Sequence, residues 1–132
     1  MSKVGAFYKA LQVSFKASGL AAKVNGLWVG LAKPETPRPY IIIAADFGEA
    51  DRGVDGEVWQ RRTIQFSIFT DGPSVAVIED LYGDLTALLE NASFTVTGAR
   101  VFGLQLQSDR LVRLPDEENG WQFILDYSFY LE

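Results

Sequence analysis

Neither cysteine nor histidine occurs in this chain of 132 residues, and methionine occurs once. Without cysteine there are no disulfides, no thiol nucleophiles and no thiolate metal sites. Without histidine the usual general base and the commonest metal ligand are missing. A basic surplus is missing too: the net charge is −5, whereas a protein that grips nucleic-acid phosphates needs a positive face. No apolar run approaches the ~20 residues of a membrane span, and the N-terminus has no signal-peptide apolar core. The expectation from these absences is a soluble protein made in a cytoplasm. Gly48, Gly53 and Gly56 form no phosphate or dinucleotide fingerprint, because a strand pattern rather than a helix follows them. There is no Gly-x-Ser-x-Gly elbow.

What is present is material for a core. Hydrophobic residues make up 48% of the chain and aromatics 13%, which argues against disorder, and the length suits one domain over residues 1–132. The organising stretch runs from Trp59 to Phe94. Ile64, Phe66 and Ile68 occupy one parity; Arg61, Thr63, Gln65 and Ser67 occupy the other, as in a half-buried strand. Thr70 to Ser74 breaks that strand, with Asp71 or Ser74 available as a helix cap and Pro73 suited to a first turn. Ile78, Leu81, Tyr82, Leu85, Leu88 and Leu89 then mark one stripe of a helix.

Upstream, a first helix is expected from Ser2 to Ala17, with Val4, Tyr8, Leu11 and Phe15 as its stripe. Pro34, Pro37 and Pro39 make an extended connector, which delivers the chain to an apolar strand at Tyr40–Ala45. Asp46 to Glu57 reads as a loop or a long hairpin tip. It carries Asp46, Glu49, Asp51, Asp55 and Glu57 against Arg52, a net −4 and most of the charge of the chain. Downstream, Ala99–Leu114 and Trp121–Leu131 predict a long hairpin around the polar turn with Asp116, Glu117 and Glu118. Placing Leu114 opposite Trp121 sets Val112 against Phe123, Leu106 against Phe129 and Leu104 against Leu131. The order helix, strand, strand, helix, strand, strand predicts an α+β fold, with two helices on one face of a mainly antiparallel sheet.

Chemistry is harder to find. The acidic segment does not match a calcium-loop pattern, so no metal is expected. Asp46, Glu79 and Asp126 are candidates for acid–base work through their apolar neighbourhood alone. Arg61 and Arg62 point to opposite sides of their strand, so one must share the apolar parity or lie beyond the core. Either they are surface charges or an arginine serves a subunit interface, where its planar fork pairs with acids. The hairpin stays apolar almost to its tip through Leu111, Val112, Leu114, Trp121 and Phe123, with Arg113 among them. It is either covered by the helices or docked on a neighbouring subunit.

Four stretches, in this order, are similar to one known family. They are Arg38-Pro39-Tyr40-Ile41-Ile42 after the proline connector and Arg62-Thr63-Ile64-Gln65-Phe66-Ser67-Ile68-Phe69 after the acidic segment. The others are Leu85-Thr86-Ala87-Leu88-Leu89 with Phe94–Gly98 and Val101, and the closing hairpin through Trp121–Phe123. The chain resembles the tail-terminator, or tail-completion, proteins of long-tailed bacteriophages and phage-like particles. That resemblance implies a non-enzymatic ring subunit without a cofactor. Such a ring, commonly a hexamer, caps the tail tube and ends its growth at the head–tail junction of the virion. The implied partners are other copies of itself, the tail-tube protein and a head-completion or connector protein. DNA would pass through the lumen without specific binding, and no membrane is involved. The candidate interface is Arg61, Arg62, Leu111, Val112, Arg113, Leu114, Trp121 and Phe123. The candidate lumen- or tube-facing loops are Asp46 to Glu57 and Asp116 to Glu118, whose charge would repel passing DNA. The alternatives are a head–tail connector or stopper, and a small ligand-binding α+β module.

Overall fold

Strand alternation and helix periodicity meet on a single apolar surface. The computed structural model describes residues 3–52, 58–91, 96, 98–114 and 120–132. Helices α1 (Lys3–Lys16) and α2 (Ala76–Asn91) lie on one face of a five-stranded sheet ordered β1 (Leu27–Val29), β2 (Tyr40–Arg52), β3 (Val58–Thr70), β5 (Trp121–Leu131) and β4 (Val101–Arg113). β1 runs parallel to β2, and every other pairing is antiparallel. The α+β architecture is the expected one, with one strand more: three residues at Leu27–Val29 are too few to show a periodicity.

The helix-covered face is almost wholly apolar. Ile41 and Ile43 of β2, Ile64, Phe66 and Ile68 of β3, and Leu125, Tyr127, Phe129 and Leu131 of β5 are all buried. They meet Ile78, Leu81, Leu85 and Leu89 of α2. Phe66 and Tyr127 touch edge to face, with ring centroids 5.9 Å apart. On α1 the buried stripe is Phe7, Leu11 and Phe15, at four-residue spacing. Phe7 stacks on Phe129 at 4.4 Å, while Tyr8 lies half-buried at the flank. The expected stripe thus omitted Phe7, one step around the helix from Tyr8.

Local signals end the elements. Ser74 caps α2 by accepting a hydrogen bond from the Ala76 N–H at 3.2 Å. Asp71, the other candidate cap, pairs with Arg38 instead, at 3.2 Å. After α1 the chain makes a short 3₁₀ turn, Gly19–Ala22, that buries Leu20. Lys23 then reaches Asp80 at 3.2 Å and Asp84 at 2.7 Å on α2.

Two expectations about the strands change. Asp46 to Arg52 is not a loop: β2 continues through it, paired with β3 from Asp46 opposite Ile64 to Arg52 opposite Val58. The antiparallel pairing of β2 with β3 fits the hairpin alternative; residues 53–57 lie outside the described residues. In the C-terminal hairpin the register differs by one residue at the tip. Arg113, not Leu114, lies opposite Trp121; Leu111, not Val112, lies opposite Phe123; and Leu106 faces Tyr127, not Phe129. Irregularities between Phe102 and Gln105 and between Leu106 and Ser108 switch the parity of β4. Even-numbered Leu106 and odd-numbered Leu111 can therefore both face the helices.

Candidate functional site

Arg62 shares the face of Ile64 and Phe66, so its charge must be met inside the subunit. Its Nη2 lies 2.7 Å from Asp46 Oδ1, and its Nη1 lies 3.3 Å from Gln60 Oε1. The guanidinium crosses directly over Gly48 on β2, where an added Cβ would fall 2.5 Å from Nη1. Asp46 also accepts a hydrogen bond from the Tyr8 hydroxyl of α1. Arg62 and Asp46 are each 16% exposed, so the pair is mostly desolvated and ties helix to sheet. Burial, then the hydrogen bond to Asp46, raises the Tyr8 pKa well above the ordinary phenol value; the Arg62 charge opposes this only in part.

This arrangement separates the two arginines. Arg61 is exposed on the helix-free face, opposite Glu49 in register, whereas Arg62 is spent on Asp46. Asp46, placed among the lumen-loop candidates, is a strand residue committed to an internal pair. Glu49, Asp51 and Arg52 lie on β2 opposite Arg61, Trp59 and Val58. Asp55, Glu57, Asp116, Glu117 and Glu118 fall outside the described residues.

The apolar hairpin is covered on one side. Leu111, Trp121 and Phe123 pack at the margin of the core. Tyr82 of α2 stacks on Phe123 at 4.3 Å and donates a hydrogen bond to Asp109 at 2.6 Å. That hydrogen bond, ahead of desolvation, pushes the Tyr82 pKa up to about 12. Trp121 lies under the Arg113 guanidinium, and its indole N–H reaches Pro73 O at 3.4 Å. Val112 sits on the other face, opposite Gln122. The Leu114 N–H donates to Gly120 O at 2.9 Å, closing the tip.

Among the described residues, the helix-free face has no comparable cover. Tyr40, Ile42, Phe69 and Trp28 occupy its β1–β3 side; Phe102, Ile124 and Tyr130 occupy the other. Between them runs a polar row. Gln65 Nε2 donates to Asp126 at 3.1 Å, Ser108 Oγ donates to Asp126 at 2.9 Å, and Gln122 Nε2 donates to Ser67 at 3.2 Å. A shallow hollow of about 340 Å³ opens beside Asp126, lined also by Arg110 and Ile124. Sequence reading missed this network because its members come from three strands.

The carboxylates named as acid–base candidates do not assemble a reaction centre. Asp46 faces the helices, Asp126 faces away from them and Glu79 projects from α2, so the three carboxylates do not converge. Among the described residues no group of three acidic side chains could hold a metal ion. Among the described residues no helix is long and apolar enough to cross a membrane.

The molecule so defined is a two-helix, one-sheet α+β unit with one bare face and open edges. No family model and no curated protein matches the chain by sequence. Solved structures do match it. A chain of the virion of a native gene transfer agent particle superposes with a TM-score of 0.84 at 16% identity, over 99% of this chain and 98% of that one. The bacteriophage SPP1 gp17 protein superposes with a TM-score of 0.59 at 19% identity, over 94% of this chain and 87% of that one. At these identities the likeness establishes the fold.

Proposed function

We propose that this chain is a structural subunit of a phage-like virion. It belongs to a ring that caps the tail tube, ends tail growth and forms the tail side of the head–tail junction. The observation that carries this reading is the end-to-end likeness to a virion component, 99% of one chain on 98% of the other. Near-complete coverage in both directions means that the whole unit, rather than a shared submotif, is in common. The physical features support it. Among the described residues the charged groups stabilise the fold or lie dispersed, which supports reading the role as structural rather than enzymatic. The sheet has open edges on both sides, as a heterologous contact that closes a ring needs. The net charge of −5 suits a channel through which DNA slides without sticking. Tube protein on one side of the ring and a head-completion or connector protein on the other are the partners of this reading.

Deleting the gene from its particle tests it. Heads should form, and tails should be overlong or unjoined in electron micrographs. Normal particles in normal number would refute it.

A further inference from the structure

We propose that adjacent copies in the ring join flank to flank, the basic α1–β1 flank of one copy seating against the acidic outer flank of α2 on the next. This rests on the ring reading and names its contact. Charge in this chain is sorted by element. Residues 1–34 hold Lys3, Lys9, Lys16, Lys23 and Lys33 and no acid, while α2 holds Glu79, Asp80, Asp84 and Glu90 and no base. Within the subunit Lys23 takes up Asp80 and Asp84. Lys9, Lys16 and Lys33 on one side, and Glu79 and Glu90 on the other, are exposed, and among the described residues no ion pair engages them. Exposed aliphatics gather on the basic side: Val13 of α1 is 63% exposed, Val29 of β1 55% and Leu31 just after it 84%. Gln12 of α1 donates to Leu27 O at 2.8 Å, which holds that helix beside β1 and brings the three to one flank. Single exposed aliphatics are ordinary, but three on one flank mark a contact surface.

The two flanks match in position. α1 lies toward β1 and β2, through Gln12 to Leu27 and Tyr8 to Asp46; α2 lies toward β5 and β4, through Tyr82 to Phe123 and Asp109. Their outer flanks look in opposite directions, so each contact leaves one flank of each kind free and propagates around a ring. On α2, Glu79, Gly83, Thr86 and Glu90 follow at steps of four, three and four residues and form one stripe, separate from the acids that meet Lys23. Leu27 pairs with Ile41, Ile41 with Ile68 and Ile68 with Phe123, so Gln12 and Tyr82 stand at one level of the sheet. The helices pass that level in opposite directions. α1 comes from the level of Ile64, where Tyr8 meets Asp46; α2 starts from the level of Thr70, where Trp121 meets Pro73. Lys16 follows Gln12 by four residues and Glu79 precedes Tyr82 by three, so both lie about 5 Å beyond it on the same side. A neighbour in the same orientation therefore sets Lys16 level with Glu79, and Lys9 toward Glu90. Val29, level with Asp109 through Ile43, Phe66 and Leu125, comes with Leu31 beside the β4 edge near half-buried Leu106. Opposite charge selects the partner and its orientation, and the covered aliphatics supply affinity.

The test is a cycle of Lys16→Glu, Glu79→Lys and the double variant, with Leu31→Ser as an apolar probe. Each is studied alone over a concentration series and mixed with tail tubes, with mass read by light scattering at low and high salt. All four should unfold close to the wild-type urea midpoint, because the altered side chains are exposed. Each single reversal should weaken association about fivefold per contact, and the double variant should recover most of it. Leu31→Ser should weaken association about as much. Salt should narrow the gap between the reversals and the wild type and leave the Leu31→Ser loss in place. If wild-type rings form while the reversals change nothing or fail to rescue one another, or while Leu31→Ser associates as tightly as the wild type, this contact is wrong and the ring reading stands. If the wild type stays a single subunit even with tubes, both fall.

Discussion

The two faces of one sheet have had opposite fates. On the helix side Ile64, Phe66, Ile68, Leu125 and Tyr127 are sealed under α1 and α2, and the Arg62–Asp46 pair is internal. On the other side the same strands carry Thr63, Gln65, Ile124, Asp126 and the buried Ser128, interleaved with half-buried aromatics, and no described helix covers them. Stability is concentrated on the first face. The second face and the edges can vary with little cost to folding, which leaves them available for assembly.

Substitution should separate the two faces. The largest effect is expected from Phe66→Ala, a loss of about 3–5 kcal/mol in urea unfolding, because a fully buried ring leaves a cavity. On the bare face Ile124→Ser, directly across the sheet plane, should cost under about 1 kcal/mol. Equal losses would break the contrast. Next come Asp46→Ala and Arg62→Ala, each expected to cost about 1–3 kcal/mol, because each strands a mostly buried partner. The double variant should cost less than the sum, and strict additivity in a double-mutant cycle would show that the pair is not coupled.

The smallest effect is on pH dependence. The hydroxyl of Tyr82 is neutral in the fold up to about 12, against 10.0 unperturbed. Its contribution is therefore complete below about pH 10 and is lost as pH rises toward 12. Tyr82→Phe should lower the urea midpoint slightly near neutrality, where the hydrogen bond to Asp109 is intact, and flatten part of its decline in that alkaline window. An unchanged alkaline decline would place the sensitivity in Tyr8 and Tyr127, whose hydroxyls burial also raises.

Periodicity made the sealed face readable. Six alternating residues from Trp121 to Leu131, and the stripe from Ile78 to Leu89, locate the core without any contact map. Arg62 was readable as a problem, a cation on an apolar parity. Its solution was not, because Asp46 lies on the neighbouring strand and Tyr8 on a distant helix. The β4 register was missed for a related reason. A bulge adds a residue without altering the local composition, and Gly103, at φ 68°, is the one local mark of it. Open edges are still less visible, since they depend on where β1 stops relative to β2.

Electron microscopy of the purified protein with its tail tubes tests the central claim most directly. Closed annular assemblies seated at one end of each tube are the predicted result. Single subunits scattered along the tube wall, or tubes with bare ends, would contradict it.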